Sequence, residues 1–166
     1  MSLMRQYVTK ERLNEIKQET DRIIDEMGIS EYKGVSGLYF IKIYDKIVYI
    51  GSSQTDLAYR IARHKMHIAD PADEPELKYD VMREVYNKNP NIWQIVLQPL
   101  PAAQCNIEEY RLIDKYKPIF NEKYAIYNEM NGHFPVGYCY IDKEEYPNAE
   151  EVWWYIQTGD RDRKIR

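Results

Sequence analysis

The chain has 166 residues, of which 44% are hydrophobic and 30% charged, and it carries 23 basic and 27 acidic side chains. This length predicts one domain of ordinary size with short appendages, and the composition excludes an intrinsically disordered chain. The net charge of −4 excludes a broadly basic surface, so any contact with DNA is expected to be local and sensitive to salt.

The first predicted element is an amphipathic α-helix over residues 9–27, with Thr9 as its N-cap and Gly28 as its stop. Four apolar side chains recur there at helical spacing, namely Leu13, Ile16, Ile23 and Met27. The stripe that they form is expected either to pack on the main domain or to make a dimer contact.

A β-hairpin is predicted next, over residues 37–51, because two β-rich segments flank Tyr44-Asp45-Lys46. A helix over residues 55–69 follows, and it begins at Thr55 or Asp56. The remaining predicted elements are a loop over 70–75, a helix over 76–88, a strand over 92–97, a helix over 104–117 that ends at Pro118, a short strand over 137–141 and a short helix over 149–157.

The order ββα, then α, then βα predicts an α/β or α+β domain, in which helices flank a small three-stranded sheet with antiparallel pairing. The domain covers residues 35–121, preceded by the helical unit 1–34 and followed by a short extension, 122–166. An intracellular, cytoplasmic location is expected, because the sequence shows neither a leader segment nor an apolar run that would cross a bilayer.

The helix over 104–117 contains two adjacent acids whose surroundings differ. Glu109 shares its face with Leu112, Ile113 and Tyr116, whereas Glu108 shares its face with Arg111 and Lys115. We therefore expect Glu109 to point inward and Glu108 to lie in a solvated ladder of charges. An inward carboxylate needs a cation, a metal ion or a hydrogen-bond cluster, so Glu109 is either part of a buried structural ion pair or a functional ligand.

The helix after the hairpin carries a polar stripe of Arg60, His64 and His67 beside its apolar face. A guanidinium and an imidazole on one helix face suit an oxyanion such as phosphate. Taken alone, this stripe is also typical of a solvated helix face. It indicates a functional site only together with the motifs that lie before and after it in the sequence.

The hairpin contains Gly37-Leu38-Tyr39 and Tyr49-Ile50-Gly51, with the two tyrosines ten residues apart. This pair of triplets resembles the signature of the GIY-YIG nucleases, and Arg60, His64 and the segment Glu109 to Ile113 resemble that family's later motifs in order and spacing. Lys117-Pro118-Ile119-Phe120-Asn121 resembles its closing motif. Where many members carry a lysine after the second triplet, this chain has Ser52 and Ser53.

The resemblance implies hydrolysis of a DNA phosphodiester with one divalent cation, Mg²⁺ or Mn²⁺, held by Glu109. Arg60 would neutralise charge on the phosphoryl oxygens. Either Tyr39 or His64 would act as general base, and Tyr49 would position the water or the phosphate. Asn121 would brace the site. The residues expected to contact DNA are Arg60, Arg63, Ser52 and Lys117, and His67 is a weaker candidate for a role in the site.

The active-enzyme hypothesis requires Tyr39 and Tyr49 to lie on the same face of the sheet. Because side chains alternate along a strand, this needs Ile41 to lie opposite Tyr49, and we predict an odd-length turn that places Tyr44 opposite Lys46. A two-residue turn at Asp45-Lys46 would place the tyrosines on opposite faces.

Two functions remain open on the sequence, an active DNA endonuclease and a catalytically weak or inactive, nuclease-derived DNA-binding or interaction module. The extension after Asn121 shows no zinc motif and no clear helix-turn-helix. The sequence therefore fits either a weakly specific stand-alone nuclease or a subunit whose target specificity comes from a homodimer or a partner subunit. Trp153, Trp154 and Tyr155 are expected to pack in the core or at an oligomer contact rather than to stack on bases.

Overall fold

The computed structural model describes residues 9–69, 77–88, 93–121, 123–128, 134–140 and 146–160. The helices in these ranges are α1 (Lys10–Met27), α2 (Leu57–Ala69), α3 (Leu77–Lys88), α4 (Ala102–Tyr116) and α5 (Ala149–Thr158), with a 3-10 turn at Ser30–Tyr32. The strands are β1 (Gly37–Ile43), β2 (Lys46–Ser53), β3 (Trp93–Pro99), β4 (Lys123–Asn128) and β5 (Phe134–Tyr140). The expected α+β class, with helices around a small antiparallel sheet, is confirmed.

The main sheet has the strand order β2-β1-β3, and β1 pairs antiparallel with both neighbours. Strands β4 and β5 form a separate two-stranded sheet. Of these two strands, the sequence predicted only a segment over 137–141, which overlaps β5, and β4 was missed. Residue 141, the loop over 70–75 and the predicted first residue of β3 lie outside the described residues.

Helix α1 begins and ends where its sequence predicts. The Thr9 hydroxyl accepts a hydrogen bond from the Arg12 amide at 3.1 Å, and Gly28 adopts the left-handed conformation at φ 67° that ends a helix. Ile23 and Ile24 are buried against α2, so the expectation that this helix packs on the main domain is confirmed. Leu13, by contrast, is 56% exposed.

The hairpin turn differs from the prediction, but the two tyrosines still lie on the same face of the sheet. A two-residue turn, Tyr44-Asp45, joins Ile43 to Lys46, so the predicted odd-length turn is wrong. The register then shifts by one residue at Val48, which forms a β-bulge, and Ile41 lies opposite Tyr49 as predicted. Tyr39 and Tyr49 consequently share one face of the sheet.

The ends of the helices around the sheet are set by local interactions. Asp56 is the N-cap of α2, because its Oδ1 accepts a hydrogen bond from the Tyr59 amide at 2.9 Å, which decides between the two expected caps. Helix α4 ends at Lys117 in the left-handed conformation, directly before Pro118. The helix predicted near the end of the chain is α5, and Asn148 caps it by accepting from the Glu151 amide.

The hydrophobic core lies between the sheet and helices α2, α3 and α5. Its largest members with almost no exposed surface are Tyr39, Phe120, Ile41, Ile43, Leu57, Ile61 and Met82, whereas the buried Leu38 and Ile50 side chains lie on the opposite face of the sheet. Within the described ranges, no helix is long and apolar enough to cross a membrane.

Candidate active site

The phenols of Tyr39 and Tyr49 lie side by side beneath α2. Their ring centroids are 6.0 Å apart with an angle of 43° between the planes. The Tyr39 ring crosses Gly51, so a Cβ at that glycine would overlap the hydroxyl oxygen and would lie 2.7 Å from Cε1. Glycine at position 51 is thus what allows the first phenol to reach the second triplet of the hairpin.

The other glycine of the paired triplets, Gly37, has a similar steric reason. A Cβ there would overlap the Gln98 carbonyl oxygen and would lie 2.8 Å from the Pro99 Cα and 2.9 Å from the Leu57 side chain. The absent side chain lets β1 approach β3 and the start of α2 together. Both glycines of the resemblance therefore serve close packing, Gly51 against the Tyr39 ring and Gly37 against β3 and the start of α2.

His64 stands between the phenols and joins them to α3. Its Nε2 is hydrogen-bonded to the Tyr39 hydroxyl, and its Nδ1 lies 2.9 Å from the Tyr79 hydroxyl. The imidazole also packs edge-on to Tyr49, with centroids 5.3 Å apart. Because a neutral imidazole has one donor and one acceptor nitrogen, the three groups form a chain along which a proton can pass.

Lys78 completes the cluster, and sequence reasoning missed both it and Tyr79. The Lys78 side chain is buried, its Nζ donates a hydrogen bond to the Tyr49 hydroxyl at 3.3 Å, and it lies 5.2 Å from the centre of that ring. The available signal was helical spacing, since the buried Val81 and Met82 lie three and four residues further along α3.

The Tyr39 phenol is held in its neutral form. Complete burial, together with the nearby Tyr49 hydroxyl, raises the pKa of Tyr39 well above its ordinary value, and the charges of Arg60 and Lys78 oppose this rise without overcoming it. In this environment Tyr39 is a hydrogen-bond donor rather than a ready base.

Arg60 reaches the cluster from the exposed face of α2. Its positive charge lies close enough to the phenols of Tyr39, Tyr49 and Tyr79 for each of them to act on the pKa of Arg60. Partial burial of the guanidinium works to lower the pKa of Arg60, but the neighbouring phenols hold it above its ordinary value. Arg60 is thus a fixed positive charge at the solvent edge of the phenols.

Glu109 is 4% exposed, so the inward orientation predicted from its helix face is confirmed. The Ser52 hydroxyl donates to its Oε2 at 3.0 Å, and the carboxylate lies close enough to Tyr39 to act on the pKa of that phenol. Glu108 forms an ion pair with Arg111 on the outer face of α4, also as expected.

Asn121 braces the second triplet of the hairpin. Its Oδ1 accepts from the Ile50 amide at 3.0 Å, and its Nδ2 donates to the Ile50 carbonyl at 2.9 Å. Both ends of the side-chain amide are therefore engaged with the β2 backbone. This geometry fits the expected bracing role better than a part in the chemistry.

Three of the other predicted residues lie at or beyond the margin of the cluster. Arg63 contacts the Met66 sulfur at 3.5 Å and so faces the α1 side of α2. Lys117 is exposed and pairs with Asp114 at 3.7 Å. His67 is buried, with its ring 4.9 Å from that of Tyr79. The structure thus gathers Tyr39, Tyr49, Arg60, His64 and Lys78, with Ser52 and Glu109 beside them.

The donor chemistry at Glu109 fits a hard cation with few protein ligands. Across the residues described above, no group of three or more His, Cys, Asp or Glu side chains is placed to share a metal ion. Magnesium usually keeps several waters and takes one or two carboxylates together with substrate phosphate oxygens. A single oriented carboxylate, with Ser52 as its hydrogen-bond partner, is compatible with that mode of binding.

A separate cavity of about 530 Å³ lies between α1, α2 and β3 and borders the cluster at His64. Its walls are mostly apolar and include Ile29, Ile61, Trp93 and Leu97. Such a lining does not suit a phosphate, so the phosphate-directed groups belong to the Tyr39–Arg60 side of the molecule.

Comparison with known proteins adds nothing to this geometry. No protein-family model matches the chain, and neither a curated protein nor a solved structure matches it.

Proposed function

We propose that this protein is a DNA endonuclease of the GIY-YIG type that hydrolyses phosphodiester bonds with one divalent cation. The observation that carries the proposal is the placement of Tyr39 and Tyr49 on one face of the hairpin, with Arg60 at their edge and the buried Glu109 beside them. These groups come from four elements, β1, β2, α2 and α4, and supply the hydrogen-bonding, cationic and anionic functions that phosphodiester hydrolysis needs.

Each side chain has a distinct part in the proposed reaction. Arg60 binds the scissile phosphate and offsets the charge that builds on its oxygens. Glu109 would hold Mg²⁺ or Mn²⁺, which supplies Lewis-acid activation of the phosphate and stabilises the leaving oxygen. Ser52 fixes the direction of the Glu109 carboxylate, as a second layer of groups does around many metal ligands.

A second function has an observation of its own in its favour. Tyr39 has no exposed surface and Tyr49 is 3% exposed, because α3 packs over the phenols with Lys78 and Tyr79. A site closed in this way suits a catalytically weak or inactive module that keeps the nuclease fold for DNA binding or for interaction. Target specificity in either case would come from a homodimer or a partner subunit.

Plasmid cleavage separates the two functions. The protein would be incubated with supercoiled, branched and single-stranded DNA in Mg²⁺ or Mn²⁺, beside an EDTA control. Glu109→Gln would be compared with Glu108→Gln, a matched control because Glu108 lies on the same helix with its carboxylate outward. We expect cleavage by the wild type and by E108Q, and loss of about 100-fold or more in E109Q.

Each result of the cleavage experiment has its own interpretation. Cleavage that survives in E109Q contradicts the assignment of this carboxylate as the metal ligand. Absence of cleavage on every substrate, with retained binding to DNA in a gel-shift assay, supports the inactive module instead. If the wild type neither cleaves nor binds DNA, the proposed function is contradicted altogether.

A further inference from the structure

Strand β3 forms one edge of the main sheet. It pairs with β1 on one side, and no other strand of the described residues pairs with it on the other side. The strand carries no charged side chain and has no bulge, and Ile95 and Val96 are 38% and 46% exposed. Proteins usually protect a free edge with charges, a bulge or a covering segment, because its backbone groups can bind another strand. The outer edge of β3 lacks the first two of these protections.

The opposite edge of the same sheet, at β2, is closed by the protein's own groups. The Phe120 amide donates to the Val48 carbonyl at 2.8 Å. The Asn121 side chain accepts from the Ile50 amide and donates to the Ile50 carbonyl. In the part of the chain that the structure describes, β3 is thus the edge that remains open. A single open edge favours a closed pair of copies over an open-ended fibre.

The backbone groups that face outward from β3 follow from its ladder with β1. The Leu100 amide donates to the Ser36 carbonyl at 3.1 Å, in the same register as the ladder itself. Hydrogen-bonded and non-hydrogen-bonded pairs alternate in an antiparallel ladder, so the even-numbered residues of β3 are those that bond to β1. The amides and carbonyls of Ile95 and Leu97 therefore point away from β1, towards the open side.

The sequence of β3 is symmetric in character about Val96. On either side of this residue come an aliphatic residue, Ile95 or Leu97, and then a glutamine, Gln94 or Gln98. A second copy that runs antiparallel, with Val96 opposite Val96, therefore places aliphatic opposite aliphatic and amide opposite amide, with no charge opposite another. In this register Ile95 of each copy lies opposite Leu97 of the other, so their outward amides and carbonyls bond to each other.

The side chains on the inner face of β3 extend the apolar surface of this edge. Trp93, Ile95 and Leu97 all line the cavity between α1, α2 and β3. Pairing with a second copy would cover Ile95 beside this cavity and remove apolar surface from water. Pro99 limits the pairing to the strand, because it lies opposite Trp93 of the second copy and has no amide hydrogen to donate.

We propose that the outer edge of β3 is a homodimer interface, in which two copies of this chain pair their β3 strands antiparallel about Val96. The result is one continuous sheet with three strands from each copy. The two-fold axis is perpendicular to the sheet, so the face that carries Tyr39 and Tyr49 lies on the same side in both copies. An interface built on one strand edge belongs to the small class, below about 1,200 Å², so we expect a reversible dimer with a Kd on the order of micromolar. The inference goes beyond the proposed function and holds whether or not the protein cuts DNA.

Sedimentation velocity of the full chain over about 1–300 µM measures the association. We expect the wild type to change from monomer to dimer in this range. Val96→Glu and Val96→Lys each place two like charges at the axis and should raise the Kd by about tenfold or more, whereas an equal mixture of V96E and V96K should dimerise again. Ile107→Glu adds the same charge on α4 at a residue that is 47% exposed, and this matched control should dimerise like the wild type.

Cysteine cross-linking tests the register of the two strands. Val96→Cys places two thiols opposite each other at the axis, so mild oxidation should give a disulfide-linked dimer on a non-reducing gel. Gln94→Cys alone should not cross-link, because its two thiols would lie about 13 Å apart along the ladder. A mixture of Gln94→Cys and Gln98→Cys should cross-link, since these positions face each other. The wild type is the control for the native Cys105 and Cys139.

The outcomes are separable from those of the cleavage experiment, because no readout here uses DNA. A wild type that stays monomeric at every concentration overturns the inference. A dimer that V96E and V96K leave unchanged, a dimer that V96C does not cross-link, and an assembly that grows beyond two copies overturn it as well. Circular dichroism checks folding, and if V96E does not fold, the double variant Gln94→Glu/Gln98→Glu replaces it, because it places like charges opposite each other on both sides of the axis.

Discussion

The Tyr39 ring lies across Gly51, in the space that any Cβ at residue 51 would occupy. Gly51→Ala should therefore displace the ring and lower the free energy of unfolding by about 1–3 kcal/mol, the usual range for overpacking a core. Chemical denaturation measures the change.

A double-mutant cycle identifies the cause of that loss. In a Tyr39→Ala background the ring is absent, so the penalty for G51A should largely disappear, and the two substitutions should show a coupling free energy of about 1 kcal/mol or more. Equal penalties in both backgrounds would mean that Gly51 is required for its backbone and not for the phenol.

The burial of Tyr39 predicts a dependence of stability on alkaline pH. The pKa of Tyr39 is raised in the folded protein, whereas a tyrosine in the unfolded chain ionises at about pH 10. Stability from this group is thus complete below about pH 10 and is lost as pH rises through the folded pKa, at up to about 1.4 kcal/mol per pH unit.

Urea denaturation of the wild type and of Tyr39→Phe between pH 8 and 11 measures this effect. The difference between the two unfolding free energies should be constant below about pH 10 and should shift in favour of Y39F above it. Tyr59→Phe removes a hydroxyl from an exposed ring of α2 and is the control. A difference that stays constant to pH 11 would refute the burial argument.

The hydrogen bonds between Asn121 and Ile50 make that asparagine a structural residue. Asn121→Ala leaves the amide and carbonyl of Ile50 without these partners and should lower the free energy of unfolding by about 1–3 kcal/mol. Asn121→Asp keeps the shape but loses the donor, so it should also be less stable than the wild type. Unchanged denaturation midpoints in both variants would show that the brace contributes nothing.

Arg60 and Arg63 lie three residues apart on α2 and provide a matched comparison. Arg60→Ala should reduce kcat/KM for DNA cleavage by about 100-fold, because one donor to the developing charge is lost. Arg60→Lys should restore little, since lysine does not reproduce the guanidinium fork. Arg63→Ala, whose side chain faces Met66, should retain most of the activity. Similar losses in R60A and R63A would point to general DNA binding.

The packing of α1 on α2 predicts unequal effects along this helix. Ile24→Ala removes a buried side chain and should cost about 2–5 kcal/mol of unfolding free energy. Leu13→Ala, at an exposed position, should stay within about 0.5 kcal/mol of the wild type. A large loss in L13A that grows with dilution would instead indicate that the N-terminal half of α1 forms the dimer contact.

Local sequence rules predicted those features that depend on one element at a time. The orientation of Glu109 followed from its neighbours three and four residues away, and the ends of α1 followed from Thr9 and Gly28. These features are confirmed because helix periodicity and capping residues act within one element, without knowledge of the fold. The shared face of Tyr39 and Tyr49 was required by the family resemblance, and it is reached through a bulge and not through the predicted turn.

Features that depend on contact between elements were not predictable in the same way. Lys78 and Tyr79 gain their importance from the packing of α3 against the hairpin, which no local pattern specifies. Arg63 lies on the same helix as Arg60, but its side chain faces α1 and not the phenols. Only the position of α1 in the fold shows this. The prediction of the turn length was wrong for a related reason, since a bulge at Val48 has no reliable signature in the sequence.

That bulge makes the length of the hairpin turn and the length of β2 interchangeable. One residue inserted between Tyr44 and Asp45 would give the odd turn, and deletion of Val48 would then restore regular pairing with Ile41 still opposite Tyr49. The two changes compensate, and neither phenol moves to the other face. Related hairpins can therefore exchange a longer turn for a lost bulge at constant spacing of the tyrosines. An alignment with a gap at each place describes the same site.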